Sequence, residues 1–267
     1  MKYRINKFRT RILCGPSDLG DLPLAARSPI FAADAVYALI MSAMANLAYL
    51  SIWCRDFSED RILQRFGAFL GTVPFSRTKP GFTHFTVRAI DPSKSPILEQ
   101  DLRAAPFDAA GIVELANDQL HDDCSYEVEC AWDLWSWDAA VGRWKLDPQR
   151  LEIFCRGEEY DNGVWRENGH IEVNLGFEQS FAGHAGLLAI ERGENASAEN
   201  EADPRFLEAM AWPENRIIYR EKTQENTRKL LDWAHRIGKA VPVERMRLWS
   251  EGDENFEATL DEILAGR

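Results

Sequence analysis

The chain has 267 residues, of which 45% are hydrophobic and 28% are charged, and both fractions are typical of folded globular proteins. They disfavour a disordered chain, a collagen-like repeat and a protein with many membrane spans. Forty-three acidic residues against 31 basic ones give a net charge of -12. This is the wrong sign for a protein that must neutralise many phosphates, so we do not expect nucleic acid as a partner.

Residues 1–43 differ from the rest of the chain, because they carry a net charge of +3, several prolines and glycines, and no sustained apolar period. The uncharged stretch Ala35–Cys54 is long enough for a membrane anchor, and Ala43 and Ala45 fit a signal-peptide cleavage site. Polar residues within the stretch weigh against the anchor, and the long preceding segment weighs against the signal peptide. We favour Met44 as the true start and do not expect a membrane partner.

The five cysteines favour a reducing compartment, so we predict a cytoplasmic protein. Their number is odd, they are widely scattered, and no two have the spacing of a zinc knuckle or a redox motif. They are Cys14, Cys54, Cys124, Cys130 and Cys155.

The first predicted elements form a β-α-β unit. A strand over Leu47–Trp53 precedes Ser58, which is placed to cap a helix that ends at Gly71, and Phe82–Ile90 has the composition of a second strand. Residues 91–107 contain three prolines and are predicted to be a loop. Asp108 then caps a helix that we expect to end near His121.

Three consecutive segments alternate between apolar and polar residues, namely Tyr126–Leu134, Leu151–Gly157 and His170–Leu175. Strands of a parallel sheet that is covered on both faces would instead be continuously apolar. The alternation therefore predicts an antiparallel meander with one buried face and one face in water.

After an acidic segment at residues 191–203, Pro213 is placed to open a helix, Val241–Trp249 resembles a short strand, and Gly266 ends a last amphipathic helix. We therefore expect a doubtful extension at 1–43, a core domain at 44–190, a linker at 191–203 and a mainly helical part at 204–267 that packs on the core. The predicted fold class is α+β, with an antiparallel sheet and helices packed on one of its faces.

The outward face of the predicted meander is the main candidate site, because it gathers five carboxylates with one arginine and one histidine. Its residues are Glu127, Glu129, Asp133, Glu152, Arg156, His170, Glu172 and Asn174. An ordinary solvated face would have the same composition. As a functional surface it would dock a basic protein partner, as an immunity-type or adaptor protein does.

The alternative is a metal-assisted hydrolase, because His170 and Glu172 are two residues apart on a strand and point the same way. The spacing supplies no further ligands, although His121, Asp122 and Asp123 are a second possible source. Motifs of zinc proteases, serine hydrolases, phosphate loops and dinucleotide-binding folds are absent from the sequence. We therefore predict no cofactor.

Four of the nine tryptophans lie between residues 132 and 144. Packing against the sheet explains such clustering, since large aromatic side chains commonly cover a sheet edge. If Trp135 and Trp137 were instead exposed together beside the acidic face, they would form an apolar hot spot for a protein partner.

Overall fold

A computed structural model of the protein describes residues 46–138, 141–183 and 204–266. The extension predicted at 1–43 and the linker predicted at 191–203 lie outside these residues, as does Cys14. A single compact unit begins at Asn46.

The sheet has seven strands, and all neighbouring strands are antiparallel. The strands are β1 Leu47–Cys54, β2 His84–Ala89, β3 Leu98–Asp101, β4 Cys124–Asp138, β5 Arg143–Arg156, β6 Ile171–Phe177 and β7 Val243–Ser250. Their spatial order is β3-β2-β4-β5-β6-β1-β7. The predicted meander is confirmed as β4-β5-β6.

The described helices comprise one long helix and six shorter ones. They are α1 Ile62–Leu70, α2 Ala109–Asn117, α3 Trp165–Asn168, α4 Gln179–Ala182, α5 Pro204–Met210, α6 Pro213–Ala240 and α7 Phe256–Ala265. In the described part of the chain no helix is long and apolar enough to cross a membrane.

The core lies between the apolar face of the sheet and helices α1, α2, α4, α6 and α7, which confirms the predicted α+β class. Alternation along each strand produces this face: Leu151, Ile153 and Cys155 of β5 are fully buried, and the residues between them point the other way. The largest fully buried side chains, Trp132 of β4 and Trp233 of α6, contact each other with ring centroids 5.6 Å apart. Each such buried aromatic side chain contributes roughly 2–3 kcal/mol to folding.

Several predicted ends of elements differ from the structure. Ser58 does not cap α1, because its hydroxyl donates to Asp60 and a 3-10 turn, Glu59–Arg61, precedes the helix. Asp108 does cap α2, accepting a hydrogen bond from the Gly111 N–H at 2.9 Å. That helix ends at Asn117, earlier than expected. The predicted loop at 91–107 contains strand β3, which pairs with β2.

The hairpin of β4 and β5 extends beyond the neighbouring strands, and helices α5 and α6 pack against it. Asn226 of α6 holds the hairpin through its side chain: its oxygen accepts from the Trp135 N–H at 2.8 Å, and its nitrogen donates to the Trp135 carbonyl at 3.0 Å. A second, smaller aromatic cluster lies at this end. It contains Trp137, Trp144, Phe206, Met210 and Tyr219.

Two strained segments meet where β2 and β5 end. Ile90 has a φ of 75°, which is rare for a β-branched residue, and Asp161 and Asn162 have φ values of 46° and 56°. The Ile90 carbonyl accepts a hydrogen bond from the Asp161 N–H at 2.7 Å, and the Ile90 N–H donates to the Asp123 carbonyl at 2.8 Å. These hydrogen bonds hold the left-handed conformations in place.

We expect Ile90→Gly to stabilise the protein by about 1 kcal/mol, because glycine adopts a positive φ without the steric cost that a β-branched residue incurs. Ile90 is 56% exposed, so little buried surface is lost. Urea denaturation measures the change. Ile97→Gly is the control, since Ile97 is 51% exposed and has no positive φ. Equal destabilisation by both substitutions would contradict the assignment of strain.

Candidate functional site

The sheet face opposite the helices carries mainly polar side chains, which the strand register arranges in three rows, and we call it the polar face. The rows are Arg88-Ser125-Arg156, Thr86-Glu127-Phe154-Glu172-Ser51-Arg247 and His84-Glu129-Glu152-Asn174-Tyr49-Trp249. Six of the predicted site residues therefore share one surface. They are Glu127, Glu129, Glu152, Arg156, Glu172 and Asn174.

Arginines accompany all five predicted carboxylates of this region. The pairs are Arg88–Glu127 at 3.3 Å, Arg150–Glu129 at 3.1 Å, Arg150–Glu152 at 2.8 Å, Arg156–Glu172 at 2.8 Å and Arg77–Asp133 at 3.8 Å. These five carboxylates are thus paired with four arginines, and their negative charge is largely compensated. The predicted set contained only one of these arginines, Arg156.

Asp133 lies further along β4 than the three rows. Its carboxylate accepts a hydrogen bond from the backbone N–H of Arg77 at 3.1 Å, and its carbonyl accepts one from Lys229 of α6 at 2.7 Å. The residue is 7% exposed. Its position therefore fits a role in holding the segment around Arg77 and helix α6 against the sheet.

The Arg156–Glu172 pair is buried, with both residues less than 10% exposed. One guanidinium nitrogen of Arg156 donates to one oxygen of Glu172, but the Arg156 Nη1 and Glu172 Oε2 atoms have no hydrogen-bond partner. The Ser125 hydroxyl, next to Arg156 across the strands, also has none. Desolvation of these groups makes the pair costly to break and weak as a source of net stability.

His170 lies in an aromatic sandwich, with ring centroids 4.1 Å from Phe57 and 4.4 Å from Trp165. The backbone N–H of Cys54 donates to the His170 Nδ1 atom at 3.0 Å, so the neutral ring carries its proton on Nε2. Burial lowers the pKa of His170 to about 4. The imidazole is therefore neutral at pH 7, and neither of its nitrogens has a lone pair free for a metal.

Trp135 and Trp137 lie at the far end of the hairpin, away from the polar-face rows. Lys222 of α6 lies over the Trp135 ring, 3.9 Å from its centroid. The Trp137 ring packs edge-on against Trp144, with centroids 5.6 Å apart, and contacts Phe206. Both side chains are half-buried against helices α5 and α6, so packing accounts for their positions.

Among the described residues, an excess of negative charge lies in four loops at one end of the sheet, which we call the acidic loop end. These loops connect to β1, β2, β4, β5 and β6 at the same end of the strands. They are residues 55–61, 90–97, 118–123 and 157–170, and the last of them includes the short helix α3. They carry eleven Asp and Glu side chains and four Lys and Arg side chains. Sequence reasoning missed this surface because it needs four distant segments to be brought together.

The pKa of Asp122 is shifted by burial and by repulsion between the carboxylates of the acidic loop end. Burial raises the pKa of Asp122, and the charges of Glu59, Glu158 and Glu159 raise it further. The Oδ1 atom of Asp122 is buried without a hydrogen-bond partner. The loops meet closely here: a side chain at Gly157 would place its Cβ only 2.1 Å from the Asp122 carbonyl oxygen.

Comparison with known proteins gives no match, either to a family model or to a curated protein or solved structure. Within residues 46–138, 141–183 and 204–266, no group of three or more His, Cys, Asp and Glu side chains could hold a metal ion. The geometry of these residues is therefore the basis for assigning a function.

We expect the free energy of unfolding to fall as the pH drops from about 6.5 towards 4 in a way that depends on His170. Its pKa is lower in the folded state than in the unfolded chain, so the unfolded state binds more protons in this range. Asparagine at position 170 keeps an acceptor for the Cys54 N–H but does not titrate. Between pH 7 and 4.5, the native protein should lose about 2.5 kcal/mol more than His170→Asn in urea denaturation. Parallel losses would contradict a buried neutral imidazole.

Arg156→Leu should destabilise the protein by about 3–5 kcal/mol, because it leaves the Glu172 carboxylate buried without its cation. The double variant Arg156→Leu/Glu172→Leu should recover most of this loss, since no unpaired charge remains. Chemical denaturation at pH 7 measures both. A double variant that is as unstable as the single one would show that the two charges are not energetically coupled.

Proposed function

We propose that the protein is a binding protein that docks a basic protein partner through the acidic loop end. The observation that carries this proposal is the excess of eleven carboxylates over four cations in four adjacent loops. The carboxylates of the polar face are largely compensated by arginines, so their attraction for a partner is weak. The contact surface is therefore centred on the loops rather than on the middle of the sheet.

The energetics of Asp122 support a role in binding. Like charges in close proximity destabilise the folded state, and the neighbours of Asp122 raise its pKa instead of stabilising its charge. A basic surface placed against Glu59, Asp122 and Glu159 would relieve this repulsion. The same uncompensated field would accelerate and orient the encounter with the partner.

The cysteines support the cytoplasmic location that goes with this proposal. Cys54, Cys124, Cys130 and Cys155 are all buried free thiols. Burial raises the pKa of Cys54 to about 12, so its thiol stays protonated and unreactive. Such cysteines act as small apolar side chains and suit a reducing compartment, where an immunity-type or adaptor protein would meet its partner.

The double variant Glu59→Lys/Glu159→Lys tests this proposal, because both side chains are exposed and their substitution leaves the core intact. Partners are captured from the native source with the full-length chain, cross-linked and identified by mass spectrometry. We expect a partner with a basic surface whose affinity falls at least about tenfold in the double variant and also falls with added salt.

Glu221→Lys/Glu262→Lys is the matched control, since it makes the same change in net charge at exposed positions of α6 and α7. It should retain the partner. A partner that is lost equally from both variants responds to net charge alone, and a partner that neither variant weakens docks elsewhere. Either result overturns the proposal.

A further inference from the structure

The outermost strand β7 has one unpaired backbone edge. β7 pairs with β1 on one side, and no described strand lies on the other. The Leu248 N–H donates to the Glu257 carboxylate at 2.9 Å and therefore points away from β1. In an antiparallel ladder alternate residues point the same way, so the backbone groups of Met246 also face outward. In the described part of the chain these groups have no hydrogen-bond partner. The pairing register shifts between Arg245 and Val243, so the alternation does not extend to Glu244.

Two arginines of β7 lie on the polar face beside this edge, and their charges are not compensated. Arg245 and Arg247 are exposed and are two residues apart, so their side chains point the same way. Among the described residues neither forms an ion pair, in contrast to Arg88, Arg150 and Arg156 of the same face.

Tryptophans hold both guanidinium groups in place. The guanidinium carbon of Arg245 lies 3.5 Å from the ring centroid of Trp53, and that of Arg247 lies 5.9 Å from the ring centroid of Trp249. Trp53 is buried, and Trp249 stacks on Tyr49 at 4.4 Å. A guanidinium that rests on an aromatic ring loses less entropy on binding, while its N–H groups remain available to a carboxylate.

We propose that the free edge of β7 binds an extended acidic segment of a partner protein by strand addition. The backbone of the segment would pair with the outward N–H and C=O groups of Met246. Acidic side chains two residues apart would lie across from Arg245 and Arg247. The residue between them would lie beside Met246, which packs against the core, and would therefore be apolar. This surface is independent of the acidic loop end.

Charge complementarity selects this occupant over a second copy of the chain. Two β7 edges paired with each other would bring the arginines of one copy against those of the other, and like charges on facing strands repel. The competing role for Arg245 and Arg247 is protection of an exposed edge against self-association. That role predicts a different result in the experiment below.

Glu257 limits the length of the binding edge, because its carboxylate already occupies the Leu248 N–H. Only the part of β7 that precedes Leu248 is open to an added strand. Removal of the Glu257 carboxylate would free one more donor and extend the edge. Glu257→Ala is therefore informative, because alanine leaves no acceptor for the Leu248 N–H: if the segment pairs along this edge, the variant should bind at least as tightly as the native protein.

The probe is the peptide acetyl-Thr-Glu-Val-Glu-Thr-amide, titrated into the full-length protein and followed by amide chemical shifts in NMR spectra. We expect the largest shifts at Met246 and its neighbours. Arg245→Ala/Arg247→Ala should weaken binding at least about tenfold, because two charge-assisted contacts are lost. A peptide of the same sequence with N-methyl groups on its valine and glutamates cannot form the ladder and should not bind.

Three results would overturn the proposal. Equal binding of the methylated peptide would show attraction to the arginines without strand addition. The absence of shifts along β7 at millimolar peptide would show that the edge does not accept a strand. Dimerisation of Arg245→Ala/Arg247→Ala in analytical ultracentrifugation, without any peptide binding by the native protein, would assign the arginines to protection of the edge.

Discussion

The pairing register between β4 and β5 determines which charges are neighbours in the centre of the polar face. Fourteen consecutive residue pairs join the two strands, and they place Ser125 opposite Arg156 and Glu129 opposite Glu152. A shift by one residue would turn Tyr126, Val128 and the rest of the apolar set towards the polar face. The burial of Trp132 against Trp233 makes that shift prohibitively costly. The apolar core thus determines which charges become neighbours.

This constraint explains why the carboxylates in the middle of the sheet have arginine neighbours. Side chains from adjacent strands crowd together there, so each carboxylate loses part of its hydration and needs a donor in return. Burial raises the pKa of Glu127, and the charge of Arg88 opposes the rise. Loops project into water and retain their hydration. Uncompensated carboxylates therefore persist in the loops and not in the centre of the sheet.

The sequence predicted the meander, the helix capped by Asp108 and the helical C-terminal part, because each follows from local periodicity and capping. It missed β3, since Leu98–Asp101 has only one apolar residue and lies among prolines. Arg150 shares the parity of Glu152 and could have been found. Arg88 could not, because its contact with Glu127 spans 39 residues and depends on strand order. The acidic loop end depends on the tertiary fold in the same way.

In a sheet protein, the sign of the electrostatic potential at a surface follows from the unpaired charges there rather than from the composition of the strands. Four of the five predicted carboxylates lie on the polar face and Asp133 lies further along β4, yet arginines from β2, β5 and a neighbouring loop compensate most of the five. At the margins of the sheet the charges are not compensated. The acidic loop end has an excess of carboxylates, and β7 carries Arg245 and Arg247 without ion pairs. Only such uncompensated groups gain electrostatic energy from a partner, because a paired charge must first give up the contact it already has. The margins of this sheet are therefore better placed for recognition than its centre.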